Sequence, residues 1–121
     1  MTHPSVSDIK RAQKEKLFFR EISQLLFQLN LDDPRTRGIS LSRVSLSPDK
    51  SICTAYFYTP EGENFFNEIL EILKLYRGSM RKALAGKIES RYVPELRFMF
   101  DDRYEKQAHL EELLDKVKSE S

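Results

Sequence analysis

The 121-residue sequence contains no tryptophan, one cysteine and two histidines. A disulfide needs two thiols, so Cys53 forms none within the chain, and a single cysteine is typical of the reducing cytoplasm. His3 and His109 have no further histidine or cysteine at the spacing of a zinc site. Glycine-rich loops of the kind that bind nucleotide phosphates are also missing. We therefore expect no metal, no cofactor and no small-molecule substrate.

Long apolar runs are missing as well. No stretch of about 18 apolar residues occurs, and the first residues lack the apolar core of a signal peptide. Hydrophobic residues make up 40% of the chain and charged residues 32%, which describes a rather polar globular protein. We expect one monomeric, cytoplasmic domain that has no contact with membranes.

The first predicted element is a helix that ends near Asn30. Ser5 and Asp8 have the spacing of a capping box, in which each side chain bonds the other residue's backbone N–H, and Ser7 is a competing cap. Apolar residues recur at the spacing of one buried helix face, at Phe18, Ile22, Leu25, Leu26 and Leu29. Pro34 disfavours helical geometry at Asp33, so the helix ends before it.

Two strands follow the first helix. Residues 39–46 alternate apolar and polar side chains but change phase near Arg43, which indicates a bulge. Residues 52–59 are rich in β-branched and aromatic side chains, and one side of this strand is formed by Cys53, Ala55 and Phe57. A proline-containing turn at 47–50 joins the strands, which predicts an antiparallel hairpin.

A second helical stripe is interrupted by Gly78. Its apolar positions are Phe65, Ile69, Ile72, Leu73, Tyr76, Met80, Leu84 and Ile88. A glycine inside a helix costs about 1 kcal/mol relative to alanine, and a helix of more than about 25 residues is unusual in a small domain. We therefore predict two helices, 63–77 and 79–90, in preference to one helix that tolerates the glycine. Such a break exposes backbone N–H groups that suit phosphate binding.

The last two predicted elements are a strand and a helix. Apolar residues alternate from Leu96 to Phe100, and this strand should run parallel to the second strand because helices connect the two. An amphipathic helix is predicted over about 104–118, with apolar positions at Leu110, Leu113, Leu114 and Val117.

Positive charge is concentrated around Gly78. Residues 74–91 carry six cations and one anion, a net charge of +5 in a chain whose total is +1. We predict phosphate contacts, which position a nucleic acid without reading its sequence, from Lys74, Arg77, Arg81, Lys82, Lys87 and Arg91. Three of these, Lys74, Arg77 and Arg81, share one helix face. The alternative is a solvated cationic face, and Arg91 can instead pair with an acid at the margin of the core.

Further residues can extend this surface. The first helix carries Lys10, Arg11 and Lys14, for which helix solubility is the favoured interpretation. Tyr76 and Tyr92 can stack on an RNA base, but we expect both in the core. Paired carboxylates at 32–33 and 101–102 can hold Mg²⁺ in a nuclease, although adjacent acids in loops usually cap turns. No catalytic residue is assigned.

Several motifs together resemble the ribosome-binding factor A family. They are Asp33-Pro34-Arg35 after the first helix, Val44-x-Leu46-Ser47-Pro48-Asp49 at the hairpin, Gly78-x-x-Arg81-x-x-Leu84, and Arg91-Tyr92-Val93-Pro94-Glu95-Leu96-Arg97-Phe98 followed by Asp101-Asp102. The block over 91–102 is the most specific. The resemblance covers about 8–117, which we take as the domain, with flexible termini at 1–7 and 118–121.

The resemblance implies an α+β fold, a single type II KH-like domain with the order α-β-β-α-(Gly kink)-α-β. A three-stranded mixed sheet packs on helices, and a short C-terminal helix follows. In this family an interhelical kink, typically Ala-x-Gly, replaces the Gly-x-x-Gly loop of other KH domains. The matching positions here are Tyr76, Arg77 and Gly78, so tyrosine stands in place of alanine. Arg103 departs from a serine that usually follows the aspartate pair.

The resemblance also implies a function. Members of this family bind the small (30S) ribosomal subunit and its 16S rRNA late in maturation and assist processing of the rRNA 5′ end. We expect a non-enzymatic RNA-binding factor of ribosome biogenesis. Two alternatives stay open: a metal-dependent nuclease that uses the aspartate pairs, and an adaptor that binds only proteins.

Overall fold

The computed structural model describes residues 3–88 and 92–120. The fold is α+β, as predicted. Its elements are α1 (Val6–Asp32), a 3₁₀ turn (Pro34–Thr36), β1 (Ser40–Leu46), β2 (Ile52–Tyr58), α2 (Glu63–Lys87), β3 (Glu95–Phe100) and α3 (Arg103–Glu120). Helices α1 and α3 therefore extend slightly beyond the domain limits of 8–117 expected from the sequence.

The three strands form one mixed sheet in the order β1-β2-β3. β1 and β2 are antiparallel, and their register shifts between Leu41 and Arg43, so the predicted bulge is confirmed. β3 pairs with β2 in parallel, as the helical connection between them required. β2 is thus the central strand, and β3 lies at an edge of the sheet.

The core lies between one face of the sheet and the two long helices. Phe57 on β2 is fully buried and contacts the rings of Phe66 on α2 and Phe98 on β3, with centroid distances of 6.0 and 5.7 Å. Cys53 and Ala55 on the same side of β2 are also fully buried. Burial, with a smaller effect from the nearby Glu15 carboxylate, raises the pKa of the Cys53 thiol to about 12.

Helix α1 begins and ends as its sequence predicts. The Ser5–Asp8 capping box is present, with Asp8 N–H donating to Ser5 Oγ at 3.1 Å. Asp33 follows the helix in an extended conformation, and its backbone N–H donates to the carbonyl of Leu29. The predicted apolar stripe faces the core, with four of its members buried and Leu25 half-buried.

The prediction of two helices separated at Gly78 is wrong. α2 runs uninterrupted from Glu63 to Lys87 through Gly78, which keeps ordinary helical geometry. Leu73, Met80 and Leu84 are all buried, so the same apolar stripe anchors the helix on both sides of the glycine. That burial outweighs a local penalty of about 1 kcal/mol. A bend of the axis at 76–78 without a break stays a prediction.

Helix α3 forms where expected but contributes no buried residue to the core. Its predicted apolar positions all face solvent, with exposed fractions between 47% for Leu113 and 64% for Val117. The start of the helix is held by Tyr104, whose ring centroid lies 4.7 Å from that of Tyr58. None of the described helices combines the length and apolar character needed to span a bilayer.

Candidate nucleic-acid interface

Two of the predicted arginines lie between α2 and the edge strand β3. The Arg77 guanidinium lies over the ring of Phe98, 5.2 Å from its centroid, and its buried Nε has no hydrogen-bond partner within the described chain. Arg81 Nη2 donates to the backbone carbonyl of Val93 at 2.9 Å. These contacts hold both guanidinium groups beside the exposed edge of the sheet.

More exposed groups continue this surface along α2. Lys74 pairs with Glu71 at 3.0 Å, an exposed ion pair that contributes little to stability. Lys82 is exposed and makes no ion pair within residues 3–88 and 92–120. Helical spacing places Lys74, Arg77 and Arg81 within about 60° of one another around the axis. We call Lys74, Arg77, Gly78, Arg81 and Lys82 the α2 flank.

Gly78 leaves the α2 flank without a side chain at its centre. It is exposed, and beyond the adjacent residues and nearby backbone of its own helix, a Cβ atom built on it meets no atom within 4 Å. Packing inside the protein therefore does not require a glycine here. The bare backbone instead allows a ligand to approach the helix closely.

The remaining predicted cations lie elsewhere. Lys87 Nζ is 3.6 Å from a carboxylate oxygen of Glu21, so it faces α1 and not the α2 flank. On α1, Arg11 pairs with Asp8 at 3.4 Å, Lys10 is exposed and Lys14 is half-buried. Arg91 lies outside the described residues. The cations that were predicted to form one surface therefore lie in separate parts of the molecule.

Tyr76 is not a simple core residue. Its ring is half-buried, and its hydroxyl donates to Oδ2 of Asp33 at the end of α1. Arg35 donates to both oxygens of the same carboxylate, at 2.9 and 2.7 Å. The hydrogen bonds from Arg35, and then that from Tyr76, hold the pKa of Asp33 well below its ordinary value. The hydrogen bond to Asp33 raises the pKa of Tyr76. This cluster ties α2 to the end of α1.

Asp101 has a very similar environment. It is fully buried, and Arg103 donates from Nε to Oδ1 at 2.9 Å and from Nη2 to Oδ2 at 2.7 Å. Ser42 Oγ donates to Oδ2 as well, and Arg43 Nε lies 3.6 Å from it. These groups, with Arg103 first, lower the pKa of Asp101. Sequence reasoning missed both clusters, although the Asp-x-Arg spacing is common to them.

These contacts decide how the aspartate pairs are used. Asp33 and Asp101 are occupied by arginine, tyrosine and serine donors, while Asp102 pairs with Lys106 at 3.1 Å. In the part of the chain that the structure describes, no group of three or more His, Cys, Asp or Glu side chains is arranged to hold a metal ion. The acids thus serve as structural acceptors at the ends of α1 and β3.

Known proteins share both the sequence pattern and the fold. The family model described as ribosome-binding factor A matches residues 10–114. The chain belongs to the ribosome-binding factor A family. Ribosome-binding factor A of Alcanivorax borkumensis is 36% identical over 102 residues, which cover 84% of this chain and 74% of that protein.

Solved structures of ribosome-binding factor A agree with this fold. The crystal structure from Thermus thermophilus superposes with a TM-score of 0.65 at 26% identity, covering 74% of this chain and 93% of the other. The solution structure of a Thermotoga maritima protein, described as a putative ribosome-binding factor A, gives 0.61 at 29% identity, covering 81% and 90%. The KH-like architecture expected from the sequence is confirmed.

The two departures from the pattern of ribosome-binding factor A have a common structural basis. Tyr76 donates to Asp33, and Arg103 donates to Asp101. Each of these two residues, which differ from those expected in the family, therefore donates a hydrogen bond to a buried aspartate that belongs to a family motif.

Proposed function

We propose that this protein is a cytoplasmic ribosome biogenesis factor that binds the small ribosomal subunit as a monomer. Its α2 flank contacts 16S rRNA late in maturation. Binding favours one conformation of the immature subunit and thereby assists processing of the rRNA 5′ end without catalysing it. The observation that carries this proposal is membership of the ribosome-binding factor A family.

A structural relative supports the choice of the small subunit. A homology model of Thermus thermophilus ribosome-binding factor A, 24% identical to this chain, was fitted into a cryo-EM map of its complex with the 30S subunit. The two structures share the same fold, with a TM-score of 0.51. We propose the same subunit as the partner of this chain.

The α2 flank suits the backbone of RNA. Lysine and arginine side chains gain affinity by releasing the counterions that surround phosphates. Arg77 and Arg81 are already held in place by Phe98 and the Val93 carbonyl, so binding costs less side-chain entropy at these positions. Phosphate contacts fix the position of the protein but do not read sequence. Selectivity must therefore come from the shape of the immature rRNA.

A charge-reversal experiment tests the α2 flank. We expect Lys74→Glu, Arg81→Glu and Lys82→Glu together to weaken binding to purified small subunits at low salt. Arg77 is left unchanged because it packs on Phe98. The slope of log affinity against log salt should fall by about 0.7–0.9 for each phosphate that the variant no longer binds. Co-sedimentation of subunits and protein across a salt series measures both quantities.

The matched control reverses three lysines outside the α2 flank. Lys16, Lys106 and Lys116 are exposed, and their reversal changes the net charge by the same amount. This control should keep more affinity than the α2-flank variant, and circular dichroism should show that both proteins are folded. Equal losses in the two variants would mean that only net charge matters, and the α2 flank would then not be the binding site.

A further inference from the structure

A recessed site separate from the α2 flank lies at the end of the domain where α1, the β1–β2 turn and the segment before β3 meet. It is a cavity of about 200 Å³. Phe18, Leu46, Ile88 and Pro94 are buried and form its apolar floor. It lies beyond the α2 flank, at the C-terminal end of α2, and nothing in the proposed function uses it.

Two lysines stand at the rim of this cavity. Lys14 comes from α1 and Lys50 from the turn, and within the described ranges neither makes an ion pair. The rim also includes Asp49, whose Oδ1 accepts hydrogen bonds from Ser47 Oγ and from the backbone and hydroxyl of Ser51. These bonds fix the turn and lower the pKa of Asp49 to about 2. The rim thus carries two cations and one anion.

Lys50 is held in an unusual backbone conformation. Its φ of +62° makes it the one non-glycine residue in the left-handed region within the described chain. Glycine or asparagine is preferred at such positions, and other residues there are uncommon. A lysine at a position that favours glycine costs stability, so the strain points to a function for its side chain.

An aromatic ring borders the same cavity. Tyr92 was expected in the core, but that expectation is wrong because 77% of its surface is exposed. Tyr92 lines the cavity together with the apolar floor and the two lysines. Exposed aromatic rings next to cations are the arrangement by which proteins bind unpaired RNA bases.

We propose that this cavity binds one unpaired nucleotide of RNA. The base lies against Tyr92 and the apolar floor, and Lys14 and Lys50 contact the flanking phosphates. An apolar protein side chain would fill the floor equally well but would supply no anion for the two ammonium groups. A nucleotide supplies both a flat base and phosphates, so the cations favour a nucleotide. This inference rests on the proposed function, because it makes the cavity a second contact to the same RNA.

A fluorescent variant tests the proposal. The chain has no tryptophan, so Tyr92→Trp introduces a single reporter at the cavity. We expect hexauridylate to quench its emission, because a base stacks on the indole. In the natural sequence, Tyr92→Ala should weaken hexauridylate binding by about fivefold or more. Uridine monophosphate should bind much more weakly than the oligonucleotide, since it supplies one phosphate and no continuing chain.

Lys50→Gly separates function from stability. Glycine removes the backbone strain, so the melting temperature should rise while the affinity for hexauridylate falls. Lys14→Gln should also lower the affinity, whereas Lys16→Gln on the opposite side of α1 should leave it unchanged. Unquenched tryptophan at saturating hexauridylate, or full affinity in Lys50→Gly, would overturn the proposal. Equally tight binding of uridine monophosphate would also overturn it, in favour of a free-nucleotide site.

The two proposals fail in different ways. If the Tyr92 and Lys50 variants bind small subunits as the natural protein does, while the α2-flank variant does not, the cavity proposal alone is wrong. If the natural protein binds neither subunits nor hexauridylate, both proposals are wrong.

Discussion

At the scale of single residues, two buried aspartates hold the ends of secondary-structure elements. Asp33 follows α1 and Asp101 follows β3, and each carboxylate accepts hydrogen bonds from the arginine two positions later. A bidentate arginine–carboxylate contact is stronger and more directional than a neutral hydrogen bond. These clusters therefore fix the direction of the backbone as it enters the 3₁₀ turn after α1 and helix α3 after β3.

We predict that Asp101→Asn lowers the free energy of unfolding at neutral pH by about 2 kcal/mol, since the variant cannot form the buried hydrogen bonds to a charged group. The pKa of Asp101 is lowered on folding, so its stabilisation is present above the ordinary value of 3.8 and is lost as pH falls below it. The variant should therefore lose less stability than the natural protein between about pH 4 and pH 2. Urea unfolding across this pH range measures the difference.

Asp102→Asn is the neighbouring control. Its carboxylate is half-exposed and pairs with Lys106 on the surface, so the variant should unfold within about 0.5 kcal/mol of the natural protein. Equal losses of unfolding free energy in the two variants would show that the burial of Asp101 does not strengthen its contribution to stability.

At the scale of elements, the local patterns of the sequence were sufficient for most helices and strands. The bulge near Arg43 and the capping box of α1 follow from short-range signals, and the parallel direction of β3 follows from its helical connection to β2; the structure confirms all three. Helix α2 was the exception because Gly78 is a local signal, whereas burial of Leu73 and Leu84 acts over the whole helix. Tertiary packing decided the outcome.

The location of the cations was less predictable than the elements that carry them. Lys87 faces α1 because Glu21 lies there, and Arg81 faces β3 because the Val93 carbonyl accepts its hydrogen bond. These partners are distant in sequence, and helical periodicity alone does not identify them. The exposure of Tyr92 depends in the same way on how the segment before β3 meets α1.

The two exposed glycines of α2 give a matched test. A Cβ atom at Gly78 or Gly86 meets open space, so each change to alanine should stabilise the protein by about 0.5–1 kcal/mol. Only Gly78→Ala should weaken binding to small subunits, because Gly78 alone lies in the α2 flank. Thermal unfolding and co-sedimentation measure the two effects. Unchanged binding in Gly78→Ala would show that RNA does not approach the helix backbone there.

At the scale of the whole molecule, the domain consists of a packed α1–sheet–α2 unit, to which α3 is joined through its first residues, Arg103 and Tyr104. None of the residues of α3 is buried, and its leucines remain exposed. We therefore expect the fold of the unit not to depend on the apolar positions of α3.

We predict that Leu113→Ala combined with Leu114→Ala changes the free energy of unfolding by no more than about 0.5 kcal/mol. Leu84→Ala, at a fully buried position of α2, should cost about 2–5 kcal/mol. Chemical denaturation at several protein concentrations measures both. A large loss in the α3 variant would show that its leucines are covered in solution, and a dependence on concentration would identify a second copy as the cover.

The burial of Cys53 determines how its thiol reacts with oxidants. A thiol whose pKa is about 12 stays protonated at neutral pH, and peroxides and disulfides react with the thiolate. Because Cys53 is fully enclosed on the central strand, such reagents reach it only after the domain opens. In oxidative stress, damage at this sulfur would therefore mark molecules that had already lost their native structure, and folded molecules would be spared.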